Sequence, residues 1–61
     1  MPANFELKVI QKRQLFIYLK LKKELAGKGV SSETLNEQIL LAEAEMDAED
    51  VAWVEKKIAQ L

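Results

Sequence analysis

Phe5-Glu6-Leu7-Lys8-Val9-Ile10-Gln11-Lys12-Arg13-Gln14-Leu15-Phe16-Ile17-Tyr18-Leu19-Lys20-Leu21 is the stretch on which the fold turns, and it admits two readings. Phe5 to Val9 alternates apolar with polar residues, and Leu15 to Leu21 is rich in β-forming side chains. A β-hairpin turning at Gln11-Lys12-Arg13-Gln14 and followed by helices would satisfy both features. The turn itself speaks against it: a tight hairpin turn asks for Gly, Asn, Asp or Pro, and none stands there. One uninterrupted helix is the better reading.

That helix is expected over about residues 5–26. Asn4 is a good N-cap and Gly27 a good C′ residue, and Lys22 and Lys23 sit in the last turns, where the helix dipole favours cations. The expected helix is apolar on two sides. Leu7, Ile10, Ile17, Leu21 and Leu25 form one stripe, with Gln14 inside it, while Phe5, Val9, Phe16 and Leu19 lie nearly opposite. A helix of this kind needs two neighbours. The Leu7 stripe is assigned to the core, so that Leu7→Glu is expected to cost the fold. The Phe16 side is assigned to a partner.

Downstream, the only obvious loop is Gly27-Lys28-Gly29-Val30. Ser31 is then a candidate N-cap, with Val30 and Leu35 at the N′ and N4 positions of a hydrophobic staple and Glu33 in the first turn. The same grammar recurs at Asp47, flanked by Met46 and Val51, with Glu49 and Asp50 in the first turn. Phase agrees with two starts. At about 100° per residue, Leu35, Ile39, Ala42 and Met46 share one stripe and Val51, Val54, Ile58 and Leu61 another. A break near Met46-Asp47 would bring both stripes to one core. The expected fold is therefore all-α: a helical hairpin or three-helix unit with helices at about 5–26, 32–46 and 48–60. It forms one small domain over 1–61 and can build a bundle by dimerisation.

Composition removes much chemistry. The 61 residues contain no His and no Cys, so disulfides, thiolate nucleophiles, imidazole acid–base catalysis and Cys- or His-ligated metal are excluded. With 49% apolar and 31% charged residues the chain reads as an ordinary globular sequence rather than a disordered one. The longest apolar run, Leu15 to Leu19, is far too short to cross a bilayer. Glu6 and Lys8 interrupt any secretory apolar segment, so cytoplasmic residence is expected. A core of this size is marginal by itself, which favours association, a homodimer first.

Charge is divided between the halves: residues 1–30 carry net +5 and residues 31–61 net −6. The plain reading is a basic helix packed beside acidic ones. The functional reading is phosphate binding by a basic patch of Lys8, Lys12, Lys22 and Lys23, with only Phe16 placed for base stacking. A sequence pI near 5.3 suits a nucleic-acid binder poorly. The first helix also lacks the clean polar face of a membrane-surface helix.

No catalytic, cofactor-binding or metal site is expected. Glu43, Asp47 and Asp50 read as solvated, capping or first-turn acids, and Gly27-x-Gly29 matches neither nucleotide-binding fingerprint. Trp53 falls off the Val51-Val54-Ile58 stripe, where Lys56 or Lys57 can lie over its indole. With Phe5, Val9, Phe16 and Leu19 it forms the candidate interface. The expected function is that of a small non-catalytic interaction, regulatory or accessory protein without a small-molecule substrate, binding itself or another protein. The alternative is a nucleic-acid-associated protein using the basic first helix.

Overall fold

A computed structural model describes residues 2–61, with side chains from Glu6 onward. The described chain forms three helices: α1 (Pro2–Gly27), α2 (Glu33–Ala44) and α3 (Ala48–Ala59). No strand occurs among the described residues, so the stretch that could have been a hairpin is one uninterrupted helix. The expected helix break near Met46-Asp47 is present at residues 45–47.

The helix ends differ from expectation in instructive ways. α1 begins at Pro2, whose fixed φ and missing N–H suit a first helical turn, so Asn4 lies inside the helix rather than capping it. At its other end, Gly29 and not Gly27 is the C′ residue. Gly29 has φ +73, a left-handed conformation that glycine adopts without a Cβ penalty. The Gly29 N–H donates to Ala26 O at 3.0 Å and the Val30 N–H to Leu25 O at 2.9 Å, the paired bonds of a Schellman motif.

For α2 the cap is Ser32, one residue later than expected. Its backbone is extended (φ −118, ψ 114) and its Oγ accepts from the Leu35 N–H at 3.2 Å. Asp47 occupies the N-cap position of α3 as expected, yet its carboxylate makes no capping bond and goes to Lys8 instead. Met46 and Val51, the flanking staple pair, both pack on the core.

α1 is the spine. α2 and α3 each pack along it and hardly touch one another. The Gln11 side chain donates to Glu45 O at the end of α2, Lys8 pairs with Asp47 at the start of α3, and Lys23 donates to Ile58 O near its end. α2 therefore runs back along α1, and α3 runs forward beside it. Among the described residues three side chains are buried, one per helix: Leu15, Ile39 and Val54. Around them stand Phe16, Tyr18 and Leu19 of α1, Leu35 and Ala42 of α2, and Val51 and Ile58 of α3.

This inverts the assignment of the faces of α1. The Phe16–Leu19 side looks inward, whereas Leu7 (53% exposed), Ile10 (59%), Ile17 (54%) and Leu21 (45%) look out. Leu7→Glu is accordingly not a core substitution. The reason lies in Leu15, which sits between the two sequence stripes and sets the inward direction. Lys8, Lys12, Lys22 and Lys23 lie on the same side, and their long stems run past the apolar contacts to place charges at the rim.

Candidate apolar groove between α1 and α3

Val9 and Phe16 stand two turns apart on α1, and Trp53 faces them from α3. Together with Lys12, Arg13 and Lys57 they line an open groove of about 380 Å3 whose floor is almost wholly apolar. Trp53 is 49% exposed. Lys12 Nζ lies 5.0 Å from its ring centroid and Lys57 Nζ, one helical turn along from the indole, 5.4 Å. Such cation–π contacts are worth about 0.5–1 kcal/mol each at exposed sites. They hold the indole in place and leave positive charge at the groove's edge.

Val9, Phe16 and Trp53 of the expected interface thus come together. Leu19 does not join them; it lines a second hollow farther along α1 with Lys22, Lys23 and Ile58. Phe5 lies outside the residues whose side chains are described. Phe16 and Leu19 are only half-buried surface residues, since both also pack against the core. Arg13 was missing from the expected set; its place one residue after Lys12 was the available signal. Of the two lysines proposed for the indole, Lys57 is the one that lies over it.

The basic patch is taken up within the chain. Lys8 Nζ is 2.9 Å from Asp47 Oδ2 and 3.7 Å from Asp50 Oδ2. The hydrogen bond and charge of Asp47, with the charge of Asp50, hold the Lys8 ammonium above its ordinary value of 10.5. Lys12 lies over Trp53, and Lys23 donates to Ile58 O at 3.4 Å. Lys22 lines crevices beside α2 and α3. These four lysines face the two acidic helices rather than one open surface.

Glu43 is separated from Asp47 and Asp50 by the helix break, and those two share Lys8. Among the described residues, no group of three His, Cys, Asp or Glu could hold a metal ion, and no polar side chain is buried. The groove offers apolar and cationic contact, with no desolvated acid, base or nucleophile among the described residues. No described helix is long and apolar enough to cross a membrane. No protein-family model, no curated protein and no solved structure matches the chain.

Proposed function

We propose that the protein is a small non-catalytic interaction protein of a regulatory or accessory kind, which buries its surplus apolar surface against itself or another protein. One observation carries this reading: against three buried side chains, ten large apolar residues among those described are 45% or more exposed. A monomer displays single apolar residues without consequence, but contiguous apolar surface marks an interaction site. The accessible area points the same way, at 4786 Å2 where a folded monomer of 7.0 kDa is expected to expose roughly 4000 Å2.

Phosphate binding by the basic side of α1 has less support, because Lys8, Lys12 and Lys23 already have partners within the chain. A salt-dependent mobility shift with generic DNA or RNA, lost in Lys12→Glu plus Lys23→Glu, would reverse that ranking. The main reading is tested by sedimentation velocity over a concentration series, with Trp53, the only tryptophan, as a fluorescent reporter of the groove. A particle heavier than 7.0 kDa, or an emission shift when a protein partner is added, is the expected outcome. A 7.0 kDa species with unchanging emission throughout would overturn it.

A further inference from the structure

We infer that the outward face of α1 is a helix-pairing seam and that its occupant is α1 of a second copy of this chain. The inference deepens the interaction reading above by naming one surface and one partner. Leu7, Ile10, Gln14, Ile17 and Leu21 follow one another at alternating intervals of three and four residues. That is the a/d repeat of a coiled-coil seam, kept over two heptads, and its period fits a facing α-helix. All four apolar members are 45–59% exposed, and α2 and α3 occupy the opposite side of α1. Among the described residues, no neighbour completes the seam.

Three further features fit a second copy. A hollow that reaches from the edge of the packed side onto this face is lined by Phe16, Ile17, Lys20, Leu21 and Glu24, and the last four, spaced i, i+3, i+4 and i+7, have the spacing of a hole that receives one knob from a facing helix. Glu6 and Lys20 both flank the seam on one edge, and an antiparallel second copy places each opposite the other; the two opposite-charge pairs offset the repulsion of Arg13 from its own copy between them. The surface of the whole chain in excess of a folded monomer, roughly 800 Å2, is similar to the roughly 800 Å2 that each partner gives to a standard interface. Gln14, which donates to the Tyr18 hydroxyl at 3.0 Å, is the single polar member of the repeat. A polar residue at one a position lowers the affinity of a pair while restricting its register and number of strands.

The test is light scattering and sedimentation equilibrium on the full chain, as wild type, Ile17→Glu and Gln14→Leu, with circular dichroism on each. The wild type is expected to reach twice 7.0 kDa as concentration rises. Ile17→Glu is expected to weaken pairing by more than about tenfold while dilute helicity is kept, and Gln14→Leu is expected to tighten pairing. Gln14→Leu keeps the test decisive should Ile17→Glu fail to fold. A wild type that stays monomeric overturns the inference, though a partner protein docked at Trp53 would still support the broader reading. A dimer indifferent to both substitutions also overturns it and moves self-association to another face.

Discussion

The two sides of α1 carry similar amounts of apolar surface and have different fates. On one, Leu15 is fully buried, with Phe16, Tyr18 and Leu19 packed beside it against α2 and α3. On the other, Ile10, Ile17 and Leu21 stand about half exposed. Hydrophobicity alone therefore does not decide which side of a helix becomes core. Geometry does: the Schellman turn at Gly29 and the short break at residues 45–47 return the chain along only one side of α1. The side left over is available to something outside the chain.

The largest expected effect contrasts these sides directly. Leu15→Ala should cost about 2–5 kcal/mol, enough to unfold most of a chain whose single core supplies roughly 3–5 kcal/mol. Ile17→Ala should stay within about 0.5 kcal/mol at dilute concentration. Urea denaturation of both variants checks the pair, and equal losses would erase the distinction between the faces.

The turn that aims α2 comes next. Gly29→Ala places a Cβ in a left-handed conformation (φ +73) and should cost about 1–2 kcal/mol. Gly27→Ala, inside the helix and with nothing within 4 Å of the new Cβ, should add about 0.4–1 kcal/mol of stability. Thermal melts that move in opposite directions would show that the return of the chain depends on Gly29. Ser32→Ala should cost about 1 kcal/mol through the lost cap, and Ser31→Ala close to nothing, a difference that the same melts resolve.

The smallest effect belongs to the rim. The Lys8 ammonium gains its partners Asp47 and Asp50 on folding and is held above 10.5. Its contribution is fully present below pH 10.5 and is lost as pH rises through the folded value. Lys8→Met should lower the melting temperature slightly at neutral pH, and the gap to wild type should close in strongly alkaline buffer. A gap that is constant with pH would mean that the contact is not electrostatic. Screening of exposed pairs keeps this effect small.

Much of the fold is legible in the residues. The missing turn residues at Gln11 to Gln14 rule in one long helix, and the stripes expected for α2 and α3 pack as their spacing implies except at Leu61, which lies beyond the end of α3 and is 62% exposed. The inward side of α1 is harder to read, because its direction is marked by a single Leu15 among four lysines. Lysines ordinarily signal solvent, but here Lys8, Lys12 and Lys23 end on Asp47, Trp53 and Ile58. The α2 cap slips by one because Ser31 and Ser32 are equivalent by type, and only the backbone geometry selects the second. Half of the groove was readable: Trp53 is off its stripe, while its meeting with Val9 and Phe16 depends on how α3 lies along α1.

The proposed pairing gives α1 one face for its own chain and another for a second copy. Because the chain has no cysteine, single Leu15→Cys and Ile17→Cys variants can report on each face by their rate of thiol labelling at several protein concentrations. Leu15→Cys should stay protected at every concentration at which it remains folded, while Ile17→Cys should label fast when dilute and slow progressively as pairs form. Labelling of Ile17→Cys that is equally fast at all concentrations, or labelling of a folded Leu15→Cys variant at the same rate as Ile17→Cys, would contradict the account.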